Sequence, residues 1–421
     1  MNGDAQAAVT NTPEAPRAPE EPVRGLVGAQ IHRILGDIRA GEFGSWPIII
    51  ALIIISAFFY HENSNFVSGS NLNNLITNSA GTAVIALGTF FVLLLGEIDL
   101  SAASVAGIGG VLVAELTLAG TSHNYSGLVA IPIAVAIGAL YGMAQGSFVA
   151  FLGVPSFVVT LAGMLAAEGI VMVSLPQGIV RLQDKWIVDF DGYFFSHSTG
   201  WIVAIVACAL YALAVLSRQV GLRRGGGTAA SIPSSLAKIA VVAVAIFGLV
   251  AWCNQDPTRG LPVAFVIVLV LYVFWNFIAS RTTFGQHVYA VGGNAEAARR
   301  AGINVPRIKL IVFMSAGAMY AFGGVFWASF AGQVDINQGG RGVTWLFDAI
   351  AGAVIGGTSL FGGRGKLKGV ALGVLLIYLI YNGIAMIGWS DAVQFMVVGF
   401  LLFAAVLLDT LSRRRQEKLG R

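Results

Sequence analysis

Apolar residues in this chain do not alternate with polar ones. They gather into long runs that recur from one end of the sequence to the other. About 20 consecutive apolar residues carry a helix across the hydrocarbon core of a bilayer, and about twelve segments approach that length. They begin near Trp46, Thr77, Leu100, Leu128, Pro155, Trp201, Leu236, Pro262, Ile308, Trp345, Leu367 and Ala392. The segment opening at Trp345 is short and carries Asp348. The pattern predicts an all-α polytopic integral membrane protein with some helices short or broken.

Positive charge tests that reading, because Lys and Arg in short loops stay on the cytoplasmic side. With the amino terminus inside and the spans alternating, all 25 Lys and Arg residues fall inside except Arg181, Lys185, Arg259 and Arg341. A frame shifted by one span would send the basic clusters outward. An even number of spans with both termini cytoplasmic is therefore expected. Composition agrees, since 56% of residues are hydrophobic and only 11% charged, against roughly a quarter charged in soluble domains. The net charge of +4 then reflects topology, not nucleic-acid binding. Cys208 and Cys253 sit in or beside predicted spans, and the five histidines are scattered without ligand spacing. Neither a disulfide framework nor a metal or cofactor site is expected.

Residues 1–44 are rich in Ala, Pro and Glu and read as a disordered cytoplasmic tail, with an interfacial helix over 26–38. No apolar stretch there matches a cleavable signal peptide. Residues 45–410 form the transmembrane domain and 411–421 a basic cytoplasmic tail. Among the external loops, 175–200 is the longest; it carries Arg181, Asp184, Lys185, Asp189 and Asp191 and offers a place for a partner to dock. The internal loop 218–235 contains Arg223-Arg224-Gly225-Gly226-Gly227 and reads as a flexible connector. An apolar segment, a Gly-bearing interruption and a second apolar segment occur at 82–110 and again at 349–376. Interrupted segments in corresponding halves point toward a substrate path in transporters, although close helix packing also draws on glycine.

The internal loop 281–308 contains Gly292-Gly293-Asn294-Ala295-Glu296-Ala297-Ala298-Arg299-Arg300-Ala301-Gly302. Asn294 suits an amino-terminal cap, Glu296 lies in the first turn, Arg299 and Arg300 lie toward the carboxyl end, and Gly302 can close the helix. Two turns do not persist alone in water, so this helix must be held against something. A partner surface and the membrane domain itself both fit.

Carboxylates at membrane depth cost several kcal/mol and are rarely lipid-facing. Glu97, Asp99, Glu115, Glu168 and Asp348 are such residues. Glu97 and Asp99 stand between two spans, so Asp99, followed by Ser101, can cap the helix starting at Leu100 or contribute to a solute path. Asp348 can hydrogen-bond a passing hydroxyl or satisfy a broken helix end. Asn382 and Asn78 are neutral amides that either face a path or join helices.

The loop at 292–302, with Phe284-Gly285-Gln286-His287-Val288-Tyr289-Ala290-Val291 before it, resembles the coupling segment of permeases from ribose- and xylose-type ATP-binding cassette importers. Gly96-Glu97-Ile98-Asp99-Leu100-Ser101, the stretch from Val154-Pro155-Ser156-Phe157 to Gly163-Met164-Leu165, and Ile355-Gly356-Gly357-Thr358-Ser359-Leu360-Phe361-Gly362-Gly363 follow the same family's order. Chain length and the extra apolar pair over 236–280 look most like the xylose type. The family often has a basic residue before Gly-Ile, where this chain has Glu168 before Gly169-Ile170. The resemblance implies a multi-pass permease of the bacterial inner membrane that translocates a monosaccharide by alternating access. It implies coupling through Gly292, Gly293, Asn294, Glu296, Ala297, Ala298 and Gly302 to a cytoplasmic ATP-binding subunit. It also implies an extracytoplasmic sugar-binding protein and a permease homodimer in the bilayer. Glu97, Asp99, Asp348 and Asn382 are the residues expected along the substrate path.

No phosphate-binding loop is present: Gly362-Gly363-Arg364-Gly365-Lys366-Leu367 lacks the first Gly at its spacing and the Ser or Thr after Lys. ATP hydrolysis is expected on another subunit. An ion-coupled secondary transporter of a small polar solute is the alternative, using membrane carboxylates as ion sites. It would have no need of a capped docking loop. No nucleophile, base and orienting group recur at motif spacing, so an enzyme is not expected.

Overall fold

The computed structural model describes residues 46–119, 124–176, 178–224, 232–336 and 338–418. The expected tail over 1–44, its helix at 26–38, and Gly225-Gly226-Gly227 lie outside the described residues. The helices are α1 (Trp46–Glu62), α2 (Gly69–Leu94), α3 (Ala102–Leu116), α4 (Gly127–Phe151), α5 (Ser156–Ser174), α6 (Lys185–Gly192), α7 (His197–Arg224) and α8 (Ile232–Cys253). They continue as α9 (Val263–Arg281), α10 (Thr283–Gly293), α11 (Ala295–Arg300), α12 (Val305–Ala331), α13 (Gln338–Ile355), α14 (Leu367–Met386) and α15 (Asp391–Lys418).

Among the described residues, eight helices are long and apolar enough to cross a membrane, by length and composition, and four shorter apolar ones accompany them. The chain is thus an all-α polytopic membrane protein in its spans, although two short strands were not expected. Strands β1 (Ile179–Arg181) and β2 (Gln333–Asp335) pair antiparallel and join two loops distant in sequence, with Ile179 opposite Asp335. The long loop over 175–200, expected outside, is also ordered, by β1 and by α6, whose first turn Asp184 caps.

Helix α2 starts at Gly69, a full two turns before the apolar run at Thr77. Its opening turns are polar because they are hydrogen-bonded inside the protein. Asn71 exchanges amide hydrogen bonds with Asn382 of α14 at 2.8 and 2.9 Å. The Asn73 amide donates to the Cys253 carbonyl, and Arg259 donates to Asn74. Burial alone would raise the Asp256 carboxyl of the turn between α8 and α9, yet donors from Thr258, Ser70 and Arg259 hold it well below the usual carboxylate range.

Most of α2 and α12 is buried, and α12 packs against α2, α3 and α4. Small residues permit this: a side chain on Gly142 would strike the Phe313 carbonyl, and one on Gly317 would strike α4 at Gly138. Without a hydrophobic force between helices in lipid, such close backbone approach is what holds spans together. Helices α13 and α14 cross the same way, Gly352 and Gly356 against Gly369 and Gly373. At about 22 Å, α3 is too short to span a core of about 30 Å. It is enclosed instead, with Ala102, Val105, Ala106, Gly109 and Val113 buried. Outer faces of α7, α8 and α9 present Ile202, Leu213, Val244, Val270 and Phe277, the surface that lipid would cover.

Candidate functional site

Asn294 joins two helices. Its amide donates to the Ala290 carbonyl to end α10, and its side chain accepts from the Ala297 amide at 2.9 Å to begin α11. Glu296 accepts from Arg299 and Arg300 at 3.0 and 3.2 Å. The helix closes with Gly302 at φ +84, its amide on the Arg299 carbonyl and the Ile303 amide on the Ala298 carbonyl. That is the paired closure a left-handed residue after a helix allows. Ala298 is buried, whereas Asn294, Glu296, Ala297, Arg299 and Arg300 are exposed. One face of α11 therefore packs on the membrane domain, and the opposite face is free.

The segment is fastened at Gly292. A Cβ there would fall on the Leu94 carbonyl oxygen at the end of α2 and lie 2.8 Å from the Gly363 amide nitrogen. That same Gly363 amide donates to the Leu94 carbonyl at 2.8 Å. Gly96, at φ +74, lies against Phe361 and Gly362. The interruption between α2 and α3 thus touches the interruption between α13 and α14, and the end of α10 lies on both. Two side chains add to the fastening: the Tyr289 hydroxyl donates to the Gly365 carbonyl at 2.8 Å, and Lys309, at the start of α12, forms an ion pair with Glu97.

Helix α5 holds the first interruption from its other side. Ser156 accepts from the Ile98 amide at 3.2 Å, and Thr160 accepts from the Leu100 amide at 3.0 Å. Unwound backbone at membrane depth needs such internal partners. Asp99 accepts from the Ser101 amide at 2.9 Å and its hydroxyl at 2.6 Å. The helix expected from Leu100 begins at Ala102 instead, and its preceding residue, Ser101, makes no side-chain cap bond. Asp99 closes a tight turn before the helix, because its oxygen is satisfied only two residues on.

All four sequence motifs meet in this one region. Asp348 and Asn382 lie elsewhere, on the α13–α14 hairpin. Asp348, only 3% exposed, accepts from the Tyr381 hydroxyl at 2.6 Å, and Asn382 pairs with Asn71. Glu168 accepts from Ser104 at 3.4 Å. Sequence reasoning missed Lys309, which counted only as a topological charge, as well as Tyr381, Tyr378 and Thr82. The one available signal was the seven- and four-residue spacing of Asn71, Asn78 and Thr82, which puts polar groups on one face of α2.

The sequence profile described as branched-chain amino acid transport system / permease component matches residues 71–406. The chain belongs to this permease family. The permease is 33% identical over 371 residues to the xylose transport system permease protein of Haemophilus influenzae, covering 87% of this chain and 96% of that one. Its identity to the Escherichia coli K12 xylose transport system permease protein is 35% over 375 residues, covering 87% and 92%. To the galactose/methyl galactoside import permease protein of the same strain it is 29% over 378 residues, covering 88% and 95%. No solved structure matches. The permease is a multi-pass inner-membrane transport subunit and not an enzyme, and ATP is hydrolysed on a separate subunit. It works with ATP-binding and substrate-binding partners.

Proposed function

We propose that the permease carries a monosaccharide of xylose or ribose type across the inner membrane by alternating access, as one of two identical copies. The fastening of the coupling segment to both helix interruptions carries this reading. An ATP-binding subunit that seats on the free face of α11 can displace Gly292, and Gly292 cannot move without shifting the Leu94 and Gly363 backbones. Gly292, Gly293, Asn294, Glu296, Ala297, Ala298 and Gly302 form the coupling element. The path runs past Glu97 and Asp99, at the interruption before α3, and past Asp348 and Asn382 on α13 and α14, each held by a protein partner that a hydroxyl can replace. An extracytoplasmic binding protein delivers the sugar.

About twelve spans with both termini cytoplasmic fit these contacts, with residues 45–410 as the permease domain. Loops that the charge pattern puts inside touch one another, as Gly96, Gly292 and Gly363 do. Loops that it puts outside do the same, as β1 and β2 do and as Asn63 does by donating to the Met386 carbonyl. The relatives named for xylose and galactose support a monosaccharide.

Uptake of labelled xylose and ribose into proteoliposomes tests the reading. Uptake should require ATP, the ATP-binding subunit and the binding protein together. Uptake by this chain alone that collapses with an ionophore would overturn it in favour of an ion-coupled carrier.

A further inference from the structure

Midway along α2, α13 and α14, aromatic and hydroxyl groups collect around one carboxylate. Asp348 accepts from Tyr381, the Tyr381 and Tyr378 rings meet edge to face at 5.7 Å, and the Tyr378 hydroxyl pairs with Thr82 of α2. Trp345, one turn before Asp348 on α13, stacks on Trp327 of α12, with centroids 4.6 Å apart and planes at 11°. The Trp327 ring rests on Gly81, where a Cβ would approach it to 2.6 Å, and its Nε1 is buried with no acceptor among the described residues. The small-residue crossing of α13 and α14 at Gly352 and Gly373 brings this carboxylate and these rings together.

We infer that Thr82, Trp327, Trp345, Asp348, Tyr378 and Tyr381 form the midplane subsite for a neutral polyhydroxylated ring. This rests on the monosaccharide reading and says where that sugar is recognised within the membrane. Three properties favour the site. Polar groups inside a bilayer are costly and rarely kept without a partner or a task, and here four helices contribute them at one depth. Indole faces take the C–H face of a sugar ring, while a carboxylate, phenols and a free indole N–H exchange hydrogen bonds with its hydroxyls. Asp348 and Tyr381 already bond each other, so a hydroxyl inserts by replacing a bond of the same kind and leaves no orphaned group. The site also lies on the two helix pairs whose interruptions are bound to the coupling segment, so movement at Gly292 reaches the very elements that hold the sugar.

The test uses the full transporter, with its ATP-binding subunit and binding protein, in proteoliposomes offered xylose, ribose and galactose. Asp348→Asn and Trp345→Leu should each lower uptake about tenfold, a change of ~1.4 kcal/mol, while ATP hydrolysis stays stimulated by the loaded binding protein. Trp345→Phe, which keeps an aromatic ring, should retain most uptake and shift the pentose-to-hexose ratio. Should Trp345→Leu fail to accumulate, Asp348→Asn and Trp345→Phe decide the matter. Wild-type uptake and sugar ratio in both would overturn the subsite, as would loss of stimulated ATP hydrolysis in proportion to uptake. Wild-type transporter that takes up no monosaccharide would instead overturn the underlying function.

Discussion

Gly292 and Gly293 are adjacent, yet the structure predicts opposite responses to the same substitution. A methyl group on Gly293 meets nothing within 4 Å, and Ala in place of Gly at a helix end is neutral or stabilising by about 0.5–1 kcal/mol. A methyl group on Gly292 lands on the Leu94 carbonyl and 2.8 Å from the Gly363 nitrogen. Both neighbours are backbone, so no side chain can swing away. The coupling segment must retreat, and the Gly363–Leu94 hydrogen bond, 2.8 Å long, must stretch or break. Overpacking costs about 1–3 kcal/mol, and an orphaned buried backbone group costs a further ~1–3 kcal/mol, so Gly292→Ala is expected to destabilise by about 2–6 kcal/mol. Thermal unfolding of the purified permease in detergent should separate the two variants, with Gly293→Ala close to wild type. In proteoliposomes Gly292→Ala should transport less sugar for each ATP hydrolysed, because the segment no longer bears on both interruptions. Equal stabilities and equal transport ratios would refute the claim that this contact carries the coupling.

Three further outcomes are expected. Reversing one charge of the Glu97–Lys309 pair, whose side chains are 16% and 22% exposed, should cost about 1–3 kcal/mol, below the full penalty of a dry pair. The double reversal should recover a good part of the lost uptake, and no recovery would show that the pair does not act as a unit. Glu296 is well exposed and its pairs with Arg299 and Arg300 contribute only ~0.3–0.5 kcal/mol each, so Glu296→Arg should leave accumulation and melting unchanged while uncoupling ATP hydrolysis from uptake; normal uptake would remove α11 from the docking role. Burial pushes the carboxyl of Asp191, in the short helix α6 between spans, up to about 8 from an ordinary 3.8. The folded protein then holds a proton that the unfolded chain has released, so stability from this group is lost as pH rises from about 4 to about 8. Asp191→Asn should flatten that dependence in melting curves, and an unchanged slope would refute it.

The spans were legible because a bilayer demands a length of apolar sequence that nothing else in the chain imitates. Their ends were less so. The Asn-rich opening of α2 resembles a loop when read alone, and only the partners on α14 and at the end of α8 explain why it is helical. The caps of α11 were legible to the residue, since Asn294, Glu296 and Gly302 each act within four positions of themselves. Nothing local distinguishes Lys309 from any other lysine near the end of a span, because its partner lies 212 residues away. Asp348 stood out as a charge in an apolar segment, but the tyrosines and indoles around it have the composition of ordinary membrane helices.

The separate legibility of the four motifs hid their common role. Each reads alone as a turn, a cap or a packing stripe, and glycine is common enough in membrane helices that none of its occurrences is informative by itself. Their meeting is informative because the contacts are backbone to backbone. A side chain can change rotamer and absorb a push, whereas two peptide groups in contact pass the displacement on. Gly292 touches Leu94 and Gly363, and Gly96 touches Phe361 and Gly362, so neither interruption can shift without the other and neither can ignore the end of α10, which Asn294 joins to α11. Glycine at these positions is therefore what makes the transmission stiff. Any side chain large enough to separate the three strands of backbone would leave the helices intact and cut the link between them.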